Sequence, residues 1–229
     1  MRSLRNLFCP LVLALLLPLA PSAKDPKPGS DKARWPIKTS LPAGTNPSKG
    51  TTVSLSDLLA LPPAAEHADV SHEKERYPKT SGAKAGEGQI VTTTGYLRLV
   101  AFEDDGDYHI QLTETPDAFD NCLVVEVPLD NPDFVKDSKD VLDAAKTVRA
   151  WVLHNLLKDA APGLDSVHIM QGQVYVSVTG QLFFDSEHQA AMADGKFRGK
   201  SIGGKQLPSK TSWELHPVTA IAFAAKPKS

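Results

Sequence analysis

The chain has 229 residues, 23% of them charged, and a formal net charge of −2. That mild acidity excludes the clustered-cation design of a strong non-specific nucleic-acid binder. Only two cysteines are present, one of them inside an amino-terminal apolar region, which excludes a disulfide-stapled scaffold.

Residues 1–23 read as a secretory signal: Arg2 and Arg5 lead a short apolar run, Leu11 to Leu17, and small residues follow at Ala20, Ser22 and Ala23. The run is too short to span a hydrocarbon core of roughly 30 Å, so no integral membrane association is expected once it is removed. The expected location is secreted or periplasmic. Its removal leaves 206 residues, one cysteine (Cys122) and a net charge of −4.

Residues 24–87 are rich in Pro, Lys, Gly and Ser and poor in large apolar side chains, the composition of a flexible arm. Within them, VSLSDLLAL (53–61) predicts one short helix, with a serine cap before it and Pro62-Pro63 after it.

Regular alternation begins at Gly88. GQIVTTTGYLRLVAF predicts a long first strand, bent or bulged at Gly95. Asp105-Gly106 predicts a two-residue hairpin with positive φ at both central positions. YHIQL and CLVVEVP follow as second and third strands, and CLVVEVP places Cys122 at a strand start as a buried thiol. Residues 133–157 carry apolar positions at three- and four-residue spacing and predict a helix, on which Arg149 reads as a surface ion-pair former. Two further strands (173–184 and 212–224) close the chain around a lysine- and glycine-rich loop. Three strands, a helix and two strands predict a mainly β domain over 88–225. The expected fold is a five-stranded OB-fold-like Greek-key barrel with its helix between the third and fourth strands.

The segments GYLRLVAFEDDGDYHIQL, CLVVEVP, VSVTGQLFFDSEH and WELHPVT together resemble a group of secreted bacterial OB-fold proteins of unassigned activity. Their barrel in turn resembles that of the staphylococcal (thermo)nuclease family. The second resemblance implies a metal-binding aspartate at Asp107, after Asp105-Gly106, and a second acidic ligand at Glu126 in Val125-Glu126-Val127-Pro128. The family's base glutamate would fall on Leu129 and its arginine on Asn121, so the same mechanism is not implied.

Three carboxylate–imidazole pairs lie near predicted strand ends: Asp107 with His109, Asp185 with His188, and Glu214 with His216. Residues two apart on a strand share a face, so these pairs could converge with Glu126 on a divalent metal of the Zn, Mn or Fe type. The candidate metal ligands are Asp107, His109, Glu126, Asp185, His188 and His216, with Glu126 and His109 as candidate catalytic groups. The loop between the fourth and fifth strands carries Lys196, Arg198, Lys200, Lys205 and Lys210, and Tyr108 is the aromatic residue on the second strand. Lys196, Arg198, Lys200, Lys205 and Tyr108 are the candidate ligand-binding residues. Two functions are carried forward. One is an exported OB-fold binding protein for an anionic polymer or oligosaccharide. The other is a metal-dependent phosphodiester hydrolase of nuclease-like type.

Overall fold

The computed structural model describes residues 34–64, 75–135 and 138–228. The signal segment expected at 1–23 and residues 24–33 and 65–74 of the expected arm lie outside them. Among the described residues no helix is long and apolar enough to cross a membrane.

The elements run α1 (Trp35–Lys38), β1 (Thr51–Thr52), α2 (Leu55–Leu59), β2 (Ile90–Phe102), β3 (Tyr108–Thr113) and β4 (Leu123–Val127), then α3 (Lys139–Asn155), β5 (Val167–Phe184), α4 (Ser186–Ala193), β6 (Gly199–Ile202), β7 (Lys205–Pro208) and β8 (Trp213–Phe223). Strands pair in the order β2-β3-β4-β8-β5, and β5 pairs back onto β2, which closes a five-stranded barrel. The β4–β8 pairing is parallel and the other barrel pairings are antiparallel. With α3 between the third and fourth barrel strands, this is the OB-like architecture that the order of elements predicts.

β2 is long because it serves two partners. Residues 90–101 pair with β5 and residues 96–102 with β3. The register shifts between Leu97 and Leu99, so the bulge falls at Arg98 and not at Gly95. Gly95 answers a different need: a Cβ there would sit 2.9 Å from Leu55 Cδ2, so its bare Cα lets α2 pack onto the strand. The β2–β3 turn is also wider than expected. It spans residues 103–107, closed by the Gly106 N–H to Glu103 O (2.9 Å) and the Glu103 N–H to Asp107 O (3.0 Å). Of Asp105 and Gly106, only Gly106 takes a positive φ (87°), as its missing Cβ permits.

α3 is capped by Ser138, whose Oγ accepts the Val141 N–H, and it buries Val148 and Val152 against the barrel core and Val141 in a second cluster with Trp35 and Phe134. Arg149 forms the expected ion pair, with its Nε 3.4 Å from Asp130 Oδ1, but not at the surface. It is buried, and its Nη1 donates to the carbonyls of Gly106 (2.9 Å), Val127 (3.3 Å) and Pro128 (3.4 Å). Its guanidinium lies 3.9 Å from the centroid of the Tyr108 ring. Tyr108 is therefore a core aromatic, 5% exposed, and offers no face to a ligand.

The described part of the expected arm is packed. Leu58 is fully buried in the main core with Val53, Leu55 and Leu61. Ser54 caps α2 by accepting the Asp57 N–H (3.1 Å), and β1 runs parallel to β2. Trp35 donates its Nε1–H to Phe134 O (3.0 Å). Arg34 makes a bidentate contact with Glu87 (2.9 and 2.5 Å) and donates to Phe184 O (2.7 Å). A few large side chains and one forked ion pair thus hold a segment whose average composition is that of disordered chain.

The lysine-rich loop is ordered as well. β6 and β7 form an antiparallel hairpin, tied to the barrel by the Gln111 side chain. Gln111 donates Nε2–H to Leu207 O (2.9 Å) and accepts the Lys200 N–H on Oε1 (2.8 Å). Gly199, at φ 119°, passes so close that a Cβ would meet Leu207 O at 2.4 Å.

Candidate functional site

The site is built where β3, β4, β8 and the turn after β5 meet. His109 stands opposite Glu126 across the β3–β4 ladder, and Glu214 pairs with Val124 on β4 and with Phe183 on β5. The period of two along β8 sends Trp213 and Leu215 into the main core and turns Glu214 and His216 the other way. Both are nevertheless fully buried, because α1 and its neighbours cover that face.

Glu126 is the hub. Its Oε1 lies 3.1 Å from His109 Nδ1, and its Oε2 lies 2.8 Å from Lys38 Nζ and 3.9 Å from His216 Nε2. His216 Nε2 is 3.1 Å from Asp107 Oδ2, while Asp107 Oδ1 accepts the Leu129 N–H (3.0 Å). His216 Nδ1 is 2.9 Å from the Lys38 carbonyl, which can only accept, so Nδ1 carries the hydrogen. The Lys38 ammonium also reaches Glu214 Oε1 (3.5 Å), and Arg198 binds Glu214 Oε2. Arg198 further donates to Thr211 O (2.7 Å).

Among the described residues, two groups have ligand atoms within 4.8 Å of one another: Asp107, Glu126 and His216, and Glu103, His109 and Glu126. Asp107, His109 and His216, three of the expected ligands, are gathered around Glu126, whereas Glu214 belongs to neither group. The Asp185–His188 pair stands aside. Asp185 caps α4 by accepting the His188 N–H (2.9 Å) and holds His188 Nδ1 at 2.6 Å, and neither residue is in either group. A small cleft of about 50 Å³ opens onto the cluster, lined by Lys38, Glu103, Glu126, Asp185, Glu187 and His188.

Electrostatics follow from burial and count. Asp105, Asp107, Glu126, Asp185 and Glu214 are five buried carboxylates gathered around two cations, Lys38 and Arg198. Burial and the neighbouring Glu126 push Glu214 above its usual range, and burial pushes Asp107 up against the lowering effect of His216. Burial would raise Glu126 too, but Lys38 and His109 outweigh it and hold that carboxyl well below the usual range. Burial pulls Lys38 down, and Glu126, Glu214, Asp185 and Asp107 together lift it well above the ordinary lysine value.

The expected basic ligand site is only partly present. Arg198 is buried on Glu214, and Lys200 pairs with Glu103 (2.7 Å), so neither is free to meet an anionic polymer. Lys196, Lys205 and Lys210 are exposed, and Lys205 Nζ lies 4.1 Å from the centroid of the Phe119 ring. Lys38, the residue nearest the hub, carries no local signal in the sequence. It stands 88 positions from Glu126 in a stretch with the composition of a loose arm. No protein-family model, curated protein or solved structure matches this chain, and what the site can do follows from its own geometry.

Proposed function

We propose that this chain is an exported OB-like barrel protein that binds one divalent metal ion of the Zn, Mn or Fe type through Asp107, Glu126 and His216. Metal-assisted hydrolysis of a phosphodiester is the reaction such a site would serve. The observation that carries the reading is the orientation of His216. Its Nδ1–H is committed to the Lys38 carbonyl, which leaves the Nε2 lone pair facing Asp107 Oδ2 and Glu126 Oε2. A histidine anchored by its other nitrogen to a backbone carbonyl is the usual second-shell arrangement of a metal ligand. A lone pair aimed at a carboxylate needs a proton or a cation between them. Mixed imidazole and carboxylate donors suit those metals better than calcium, which prefers an all-oxygen shell.

When bound, the metal would polarise a phosphoryl oxygen or acidify a water. Lys38 holds the Glu126 carboxylate in place, and the Leu129 N–H fixes Asp107. The two positions at which the nuclease resemblance lacks its catalytic groups serve local structure. Leu129 binds Asp107 through its backbone, and Asn121 Oδ1 accepts the Lys210 N–H (2.9 Å). The nuclease family's own mechanism is accordingly not carried over.

The test is metal content of the purified protein and calorimetric titration with Zn and Mn, in wild type, Asp107→Asn and His216→Gln. One equivalent of metal, bound at least about a hundredfold more weakly by either variant, is the expected result. Equal binding by wild type and both variants, or none by any of them, overturns the reading. A metal-dependent cleavage of DNA or RNA extends it to catalysis. The second reading, a non-catalytic binder of an anionic polymer or oligosaccharide, is favoured by the exposed Lys196, Lys205 and Lys210 on and beside the β6–β7 hairpin. It predicts salt-dependent binding that a triple Lys→Ala variant abolishes and Asp107→Asn leaves intact.

A further inference from the structure

A second concavity lies away from the metal cluster. It is a groove of about 430 Å³ between the first three turns of α3 and the second half of β8, with Pro47 and Ser48 closing one end. Its floor is apolar, from Val148, Ala220 and Ile221, and Trp151 forms a wall. Trp151 meets Phe223 edge to face, with ring centroids 5.0 Å apart, and Phe223 is 58% exposed. Polar groups stand along the groove: the carboxylates of Asp140 and Asp143 on α3, and the hydroxyls of Thr147 and Ser48.

We propose that this groove is a binding site for a neutral oligosaccharide, one or two pyranose rings at a time. Its volume falls within the usual range for small-ligand sites. The lining has no Lys, Arg or His and carries two carboxylates, Asp140 and an Asp143 that Lys139 pairs through one oxygen, which favours a neutral ligand over an anionic one. What remains must offer an apolar face to Trp151 and Ile221 and hydrogen-bond donors to Asp140 and Asp143. A pyranose ring offers both, a C–H face for the indole and hydroxyls for the carboxylates. A protein partner fits less well, because standard interfaces bury roughly 800 Å² per side and have a charge-depleted core, whereas this groove is narrow and flanked by acids. The site stands on different residues from the proposed metal centre and does not depend on it.

Intrinsic tryptophan fluorescence and calorimetry with chitohexaose, cellohexaose and maltohexaose test the proposal on the full-length mature protein. Saturable binding of at least one of the three is expected. Trp151→Ala should weaken it by about tenfold or more. Thr147→Arg, which fills the groove from an exposed helix position, should abolish it while leaving the far- and near-ultraviolet circular dichroism unchanged. Asp107→Asn should bind as wild type does. Absence of saturable binding to all three sugars, or wild-type binding by Thr147→Arg, overturns the proposal. So does a concentration-dependent dimer that Thr147→Arg dissociates, which would assign the groove to a second copy of the chain.

Discussion

Lys38 Nζ lies 2.8 Å from Glu126 Oε2, and this contact joins the amino-terminal segment to the middle of the barrel. The two side chains are 13% and 5% exposed, so the pair is nearly dry. Replacing one member of such a pair leaves the other charge without compensation. Lys38→Met should therefore cost about 3–5 kcal/mol in urea unfolding. Glu126→Gln with Lys38→Met should be milder than the sum of the single changes, because the double variant removes both charges of the pair together. A loss below about 1 kcal/mol for Lys38→Met would show that water reaches the pair and screens it.

Much of the barrel is legible from sequence because its signals are local. Alternation marks β3 and β4, spaced apolar positions mark α3, and the β2–β3 turn announces itself through Gly106. The site is legible where alternation carries the signal, as with Glu214 and His216 on β8, whereas Asp107 ends the β2–β3 turn just before β3 begins. Lys38 and Arg34 carry no local signal, and Arg198 reads as a ligand-binding residue, because each is defined by partners distant in sequence. Arg34 meets Glu87 at a separation of 53 residues, and Arg198 meets Glu214 only after a hairpin has folded back. Arg149 and Tyr108 were misread for a related reason. A helix-surface arginine and a strand aromatic become one buried stack only when α3 closes onto the β2–β3 turn.

Arg149 makes that closure a measurable quantity. Its Nη1 serves the carbonyls of Gly106, Val127 and Pro128, and its plane covers Tyr108. Arg149→Met keeps the stem and removes the donors, so each buried carbonyl left alone should cost about 1–3 kcal/mol. Arg149→Lys retains charge but cannot span the three acceptors, and it should lie between wild type and Met. Chemical denaturation gives the ranking, and equal stability of all three proteins would remove the clamp from the account.

Cys122 should be inert in the native protein. Burial pushes its thiol up to about 12, against the lowering effect of the Gln111 Nε2–H, which lies 2.7 Å from Sγ. Ellman's reagent at pH 8 should find no Cys122 thiol until denaturant is added, and one equivalent from Cys122 afterwards. Fast labelling of the folded protein would place Cys122 at the surface and contradict its burial between β3 and the β6–β7 hairpin.

Asp185 and His188 give a pH dependence with opposite signs at its two ends. The hydrogen bond to Asp185 raises His188 above the ordinary histidine value, and the same bond, with Arg198, holds Asp185 below the usual carboxylate range although burial alone would raise it. The folded protein thus keeps the His188 proton more tightly than the unfolded chain does. The stability contributed through His188 is fully present below the unfolded value of roughly 6.5 and is lost as pH rises through the higher folded value. Asp185 behaves inversely: its contribution is present above the unfolded value of about 3.9 and is lost as pH falls through the lower folded one. Because the His188 side chain is 50% exposed, solvent and salt screen its share, and the effect should shrink at high ionic strength. Proton NMR titration of His188 in wild type and Asp185→Asn checks both signs. The imidazole should titrate at higher pH in wild type than in the variant, and an equal or lower midpoint would detach His188 from Asp185.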